Sequence, residues 1–342
     1  MQSILTHPQG GHGFLTALEV FSLVRPDLTK VEAELASLLG SDVHSIDTAG
    51  KYLREGGGKR IRPALVLLAA RSCGAGADGD TPAFVTRMAA VMEMLHTATL
   101  VHDDIIDDAK VRRGRPSANA QWGNEISVLM GDWLYMKAFE VTLSERNFDV
   151  LDLLTFMTRG MTEGELLQLD MLGRVDLTEA DHLEIVRRKT AYMFRSCAEI
   201  GAIAGGATRA QREALAAYGL NAGIAFQLID DVLDFVSTED KLGKPVANDL
   251  REGKLTLPLI YLLEGWPEHR ATVETVVREG GFESVSREEI LALVRDHGTL
   301  DRARAEARRY SAKAVEALDR LEASEYRQAL VSIPNFIVER EM

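Results

Sequence analysis

The chain has 342 residues, with 52 acidic against 39 basic side chains and a formal net charge of −13. That balance argues against nucleic acid as a partner, and it requires any anionic substrate to be met by local cations or a metal. The first residues, Met1 to Gly13, lack the basic start and apolar run of a signal peptide, and apolar runs such as Ala64–Ala70 fall far short of the ~20 residues that span a bilayer. Two cysteines, Cys73 and Cys197, make no disulfide framework and suit a reducing compartment. The expectation is a soluble, cytoplasmic protein with no transmembrane segment.

In chain order, apolar residues recur at helical spacing over Leu28–Leu39, Ile61–Ser72, Phe84–Asp107, Ile126–Leu143, Val150–Leu172, Glu179–Ala204, Arg209–Val236 and Leu255–Leu263. Pro63 fits the first turn of one helix, and Thr178 with Glu179 and Asp181 fits the capped start of another. Arg71–Pro82 and Gly265–Arg287, rich in glycine with Pro82 and Pro267, read as inter-helix loops. No period-two alternation and no β-α-β rhythm is present. The fold class expected is all-α, as one domain over 1–342 with 1–15 a flexible N-terminal segment. The Phe84–Asp107 and Arg209–Val236 helices are apolar on several sides, which predicts burial in a large core or an oligomer.

Two boxes of the pattern D-D-x-x-D interrupt this apolar background, Asp103-Asp104-Ile105-Ile106-Asp107 and Asp230-Asp231-Val232-Leu233-Asp234. On a helix, Asp103 shares a face with Asp107, and Asp230 with Asp234. Like charges at that spacing destabilise a helix unless a cation neutralises them. Mg²⁺ takes one or two carboxylates and completes its shell with water and phosphate oxygens. Two such clusters predict a cavity with carboxylates on its walls and a diphosphate held through Mg²⁺. A solvated acidic face explains two boxes poorly, because Leu100, Val101, Ile105, Leu228, Ile229 and Leu233 surround them.

The basic counterpart is Gly56-Gly57-Gly58-Lys59-Arg60-Ile61-Arg62-Pro63, a glycine turn followed by three cations at a helix start. Glycine lets the backbone approach an anion, and helix N-termini favour negative charge. Arg112-Arg113 follows the first box, and Lys189, Lys244 and Lys254 are spread around the second. His96 lies two helical turns before Asp103 and reads as a phosphate donor lining the same cavity. His102-Asp103 alone would fit an HD-type metal phosphohydrolase, but the further spaced His and Asp ligands of that fold are not found.

Together Gly57–Pro63, His96–Gly114, Gly131-Asp132, Lys189-Thr190 and Phe226–Lys254 resemble, in order, the trans-isoprenyl diphosphate synthases, the polyprenyl synthetase family. The resemblance implies an isoprenoid synthase-type bundle of long helices around a deep cavity, normally a homodimer. It implies that isopentenyl diphosphate is condensed with an allylic diphosphate. The allylic diphosphate would bind through about three Mg²⁺ held by Asp103, Asp107 and Asp230. Asp104, Asp231 and Asp234 would support those clusters, and Arg112, Lys189, Lys244 and Lys254 would line the phosphate site. Isopentenyl diphosphate would occupy the basic pocket of Lys59, Arg62, His96 and Arg113, with Arg60 also counted among the substrate-binding residues. Thr190 and Gln227 would offer oxygen dipoles near the carbocation. A non-catalytic subunit of a heteromeric synthase usually shows eroded boxes, and a class I terpene cyclase usually has an Asn/Ser/Glu second box. Neither feature is present here.

Product length is expected to depend on side chains beneath Asp103. Ala98 and Thr99 are small, the box carries no insertion, and the bulky aromatic that marks short-chain members is missing at Ala98. The floor is therefore expected deeper, on the helix of Met130, Leu134, Tyr135, Met136 and Phe139. The expectation is a long all-trans product of about eight isoprene units, suited to a quinone side chain. The alternative is a farnesyl or geranylgeranyl product, if another residue closes the tunnel early.

Overall fold

The computed structural model describes residues 14–77, 79–236 and 246–340. The all-α expectation holds: the described residues are 77 % helical with almost no strand. Its elements divide into two compact units, each assembled from separated stretches of chain.

The first unit takes the residues up to Thr155, with Ser196–Leu215 and Arg320–Leu330. It contains α1 (Ala17–Leu38), α2 (His44–Glu55), α3 (Ile61–Ser72), α4 (Ala83–Ile106), α5 (Ala118–Trp122) and α6 (Asn124–Ser144). Helix α4 packs on α6, α3 and α1. It earns that central place by composition, since Val85, Met88, Met92, Met94, Leu95, Ala98 and Val101 are all buried, on several sides of the helix. Helix α3 is similar, with every residue from Ala64 to Ala70 buried. The α3–α4 loop is tied down by the buried Asp27 carboxylate, which accepts from Arg71 Nη2 at 3.0 Å and Thr81 Oγ1 at 2.6 Å. Helix α1 starts well before the expected Leu28 and runs through Pro26. Proline removes one internal hydrogen bond, but Val20, Val24, Asp27, Val31 and Leu35 form one buried face, and that burial outweighs the loss.

The second unit takes Phe156–Arg195, Ala216–Asp319 and the chain from Val331 on. The expected helix Glu179–Ala204 is interrupted. It divides into α8 (Glu179–Val186), a π-helical turn (Arg187–Ala191) and α9 (Tyr192–Ala204). The predicted cap is present as a reciprocal pair between Thr178 and Asp181. Helices α7 (Phe148–Asp170) and α10 (Arg209–Val236) follow the expected periodicity, and each supplies residues to both units.

Past α10 come α11 (Asn248–Arg251), α12 (Leu257–Gly265), α13 (Arg270–Glu279), α14 (Arg287–Asp296), α15 (Thr299–Ala317) and α16 (Glu325–Val338). Leu257 to Leu263 are all buried, so α12 forms the centre of this unit, packed by α15, α14 and α8. Gly265–Arg287, expected as a loop, contains α13. Its apolar face is narrow, with Val273 and Val276 the buried residues, and that leaves a weak periodic signal. Helix α15 buries Ala303, Ala307, Ser311 and Ala314, small residues that read as neutral in a hydrophobic pattern.

Candidate active site

In the first unit the acidic box closes α4. Asp107 is the C-cap residue, and its N–H donates to the Asp103 carbonyl at 2.8 Å, one turn apart on one face. Asp103 is half-buried and Asp107 exposed, whereas Asp104 is only 2 % exposed. Carboxylates at a helix C-terminus meet the negative end of the macrodipole, so this position calls for a cation. Asp104 has one: its Oδ1 accepts from Arg112 Nε at 2.7 Å, with Arg112 Nη2 at 2.6 Å. Asp104 thus anchors an arginine, while Asp103 is half-buried and Asp107 exposed.

Arg112 lies in a two-residue hairpin absent from the helical expectation, β1 (Val111–Arg112) paired antiparallel with β2 (Arg115–Pro116). Its turn residues Arg113 and Gly114 both have positive φ, 54° and 74°, as a tight hairpin of primed type requires. Gly57 (φ 65°) and Arg60 (φ 52°) bend the basic loop, and Arg60 caps α3. A Cβ on Gly58 would meet Arg60 Nη1 at 3.0 Å and Arg113 Nη1 at 3.1 Å, so glycine here lets the loop lie against both guanidinium groups. Arg60 itself is held by Glu93, at 2.6 Å, and by Glu32. Its hydrogen bonds are thus spent on carboxylates of the protein.

Burial, and then the nearby Arg62, Arg113, Arg112 and Arg60, push the His96 pKa well below the usual imidazole range. The ring is therefore neutral at pH 7. His102 belongs elsewhere: its Nε2 lies 3.2 Å from the Val128 carbonyl, and a Cβ on Gly131 would meet that atom at 2.2 Å. Glycine at 131 is what makes room for this ring.

Ala98 is fully buried, and Thr99 Oγ1 donates to its own helix at the His96 carbonyl, 2.8 Å. The helix expected to carry the chain-length floor, α6, has both buried and exposed residues. Met130 and Leu134 are 3 % and 1 % exposed, and Met136 is 64 % exposed. Met94, Thr97 and Leu134 line a small cavity of about 20 Å³.

In the second unit the other box ends α10. Asp234, 1 % exposed, accepts from the Asp249 N–H at 3.2 Å through Oδ2, and its carbonyl accepts from the Ala247 N–H at 2.8 Å. It fastens the chain that enters α11. Asp231, 3 % exposed, accepts from Gln227 Nε2 at 2.9 Å and lies 2.9 Å from His182 Nε2. Asp230 has a side chain one-third exposed and accepts from Arg340 Nη1 at 3.0 Å, whose guanidinium also lies over the Phe226 ring at 5.4 Å.

The π-helical turn carries Lys189 and Thr190. It is flanked by glycines on two helices: Gly160 and Gly164 of α7 abut Tyr192, Arg188 and Lys189, and Gly219 and Gly223 of α10 abut Phe194, Arg195 and Ala191. Lys189 Nζ donates to Glu165 Oε2 at 2.8 Å and to Gln168 Oε1 at 3.3 Å, and Thr190 Oγ1 donates to Gln227 Oε1 at 2.8 Å. Lys254 Nζ pairs with Glu252 at 2.7 Å. Lys189, Thr190, Gln227, Asp231, His182 and Lys254 line a cavity of about 130 Å³. Lys244 lies outside the described residues.

Sequence reasoning missed His182 and Arg340. His182 sits seven residues before Lys189, a spacing that could have flagged it, whereas nothing in sequence links Arg340 to a box more than a hundred residues away.

Among the described residues no three carboxylate, imidazole or thiol side chains converge into a metal cage. The donor set still suits Mg²⁺, which needs one or two carboxylates and takes its remaining oxygens from water and substrate.

Residues 43–294 match the family model described as polyprenyl synthetase. The chain is 40 % identical to octaprenyl diphosphate synthase of Haemophilus influenzae over 94 % of its own length and 96 % of the relative's. It is 38 % identical to the geranyl-diphosphate-specific all-trans-nonaprenyl-diphosphate synthase of Rhodobacter capsulatus, covering 94 % and 97 %. Its fold superposes on a polyprenyl synthase from Caulobacter crescentus, crystallised with calcium and isoprenyl diphosphate, with TM-score 0.89 and 35 % identity over 97 % and 99 % of the two chains. The chain belongs to the polyprenyl synthetase family and is a prenyltransferase.

Proposed function

We propose that the protein condenses isopentenyl diphosphate repeatedly with an allylic diphosphate, giving a long all-trans polyprenyl diphosphate of about eight isoprene units. The observation that carries the reading is the division of labour in each box. Asp104, Asp231 and Asp234 are buried, while Asp103, Asp107 and Asp230 are partly or fully exposed. Asp103, Asp107 and Asp230 would hold Mg²⁺, about three ions for each allylic diphosphate. Bound Mg²⁺ supplies Lewis-acid stabilisation to the departing diphosphate.

The chain's own residues do the rest. Arg112, Lys189, Lys244 and Lys254 bind and orient the allylic diphosphate, and Lys59, Arg62, neutral His96 and Arg113 hold isopentenyl diphosphate. Arg60 is the anchor of the basic loop rather than a phosphate ligand, because Glu32 and Glu93 take its donors. As the allylic C–O bond breaks, the oxygens of Thr190 and Gln227 stabilise the positive carbon. The isopentenyl double bond attacks that carbon, and the proton lost from the adduct goes to the leaving diphosphate. Fixing the two substrates together supplies much of the rate.

Long-chain synthesis is supported by the buried alanine at 98 and by the octaprenyl and nonaprenyl relatives. A respiratory quinone side chain is the use that such a product suits. No helix of the described residues is long and apolar enough to cross a membrane, and we place the reaction in the cytoplasm. The working form is a homodimer. Val128, Leu129, Met136 and Leu143 of α6 are 42 %, 66 %, 64 % and 45 % exposed, an apolar stripe at helical spacing that a second copy would cover.

Chromatography of dephosphorylated products against polyprenol standards, with excess isopentenyl diphosphate, tests the assignment. A dominant product near C40 is expected, shortened by Ala98→Phe with the first condensation retained. A wild-type product no longer than C20 would refute the long-chain reading, and no product with Mg²⁺ would refute the activity.

A further inference from the structure

We propose that His182 is a positioning residue for the transfer step, acting through Asp231 to aim the oxygens of Gln227 and Thr190. The inference rests on the prenyl-transfer reading, in which those oxygens meet the positive carbon.

His182 sits in α8, 5 % exposed, with Nε2 2.9 Å from Asp231 Oδ2. The other carboxylate oxygen accepts from Gln227 Nε2 at 2.9 Å, and Gln227 Oε1 accepts from Thr190 Oγ1 at 2.8 Å. The chain of bonds joins α8, the π-helical turn and α10. Its polarity is dictated from the carboxylate outward. A carboxylate accepts only, so Nε2 of the imidazole carries a hydrogen, and the amide of Gln227 must present its NH₂ to Asp231. Oε1 is therefore turned toward Thr190, and both residues line the cavity of about 130 Å³.

With both Asp231 oxygens occupied, the carboxylate cannot rotate without breaking a bond. Remove His182 and Oδ2 loses its buried donor; the carboxylate can then turn, and Gln227 is free to flip its amide and present NH₂ to the cavity. A flipped amide would set a positive dipole against a developing positive charge. Dipoles held in place before the reaction contribute most to a charged transition state, because nothing reorganises as charge develops. A histidine that merely satisfies a buried acid would affect stability and leave the rate of correctly folded enzyme alone.

The experiment compares His182→Leu, which removes the donor, with His182→Gln, which returns an amide N–H near Nε2. Steady-state constants for both diphosphates are measured per mole of folded enzyme, alongside wild type, Gln227→Leu and the double variant. His182→Leu is expected to lower kcat about 10- to 100-fold, as loss of an orienting partner does at other sites, with both KM values within about twofold. His182→Gln is expected to recover most of the rate. The double variant should be no slower than Gln227→Leu, because His182 acts through that residue. If His182→Leu does not fold, His182→Asn, whose amide stops short of Asp231, is expected to show the same loss. An unchanged kcat in folded His182→Leu or His182→Asn, or losses that multiply in the double variant, would overturn the proposal. Wild-type enzyme that makes no prenyl product would instead refute the functional reading beneath it.

Discussion

Gly164→Ala offers a sharp test of how the π-helical turn places Lys189. A Cβ at Gly164 would lie 2.8 Å from the Lys189 backbone nitrogen, 2.8 Å from Arg188 Cβ and 3.2 Å from the Arg188 carbonyl carbon. Ordinary contact begins near 3.4 Å, so the neighbouring backbone must move by 3.4 − 2.8, or 0.6 Å. It has little room to retreat. On its other side Gly223 already allows only 2.7 Å between a Cβ position and Ala191 Cα, and Gly219 only 2.5 Å to the Phe194 carbonyl oxygen. Overpacking of this kind costs about 1–3 kcal/mol, against about 0.5–1 kcal/mol gained by removing a helical glycine, so a net loss of about 0.5–2 kcal/mol is expected. The effect on catalysis should be larger in proportion. A 1 Å misplacement costs up to about 100-fold, so a shift near half that should lower kcat about 10-fold. Gly265→Ala is the control, since nothing lies within 4 Å of its Cβ position. Chemical denaturation and steady-state kinetics on both variants supply the comparison. A Gly164→Ala enzyme with wild-type stability and kcat would show that the close approach is not what positions Lys189.

Arg60→Ala should lower stability by about 3 kcal/mol in urea titration, because it strands the buried Glu93, whereas Arg62→Ala should chiefly raise the KM for isopentenyl diphosphate. Arg340→Ala removes a cation that competes for Asp230. Half-saturating Mn²⁺, read by electron paramagnetic resonance with diphosphate present, should fall about two- to fivefold, as suits a partly exposed pair. His96 has a pKa lowered by folding, so the unfolded chain binds its proton first. Stability should be fully present above the ordinary imidazole range and decline as pH falls from about 8 toward about 5.5, with the slope reduced in His96→Asn; a flat wild-type melting profile would refute this. Met136→Glu should convert a dimer in light scattering to the 37.6 kDa monomer, and a monomeric wild type would remove the dimer proposal.

Helix content and the identity of both boxes were legible in sequence because they depend on local periodicity and on residue types that a folded core does not otherwise tolerate. Arg209–Val236 was read to its observed ends, since its apolar spacing is unbroken. Composition likewise carried the basic loop, where three glycines precede Lys59, Arg60 and Arg62. What a side chain touches is another matter. Arg60 and Arg62 stand two residues apart with the same charge, yet Arg60 is claimed by Glu32, 28 residues earlier, and Glu93, 33 residues later. Within each box the aspartates are chemically identical in sequence, and only tertiary packing decides that Asp104 meets Arg112, that Asp231 meets His182 and Gln227, and that Asp230 remains at the surface with Arg340. Met136 shows the same limit, because helical spacing specifies which residues share a face but not whether that face meets the core or solvent. The π-helical turn is decided last of all. Glycines on two other helices abut it, and their missing side chains let three backbones approach closely, a juxtaposition that the local sequence of Arg187–Ala191 does not specify.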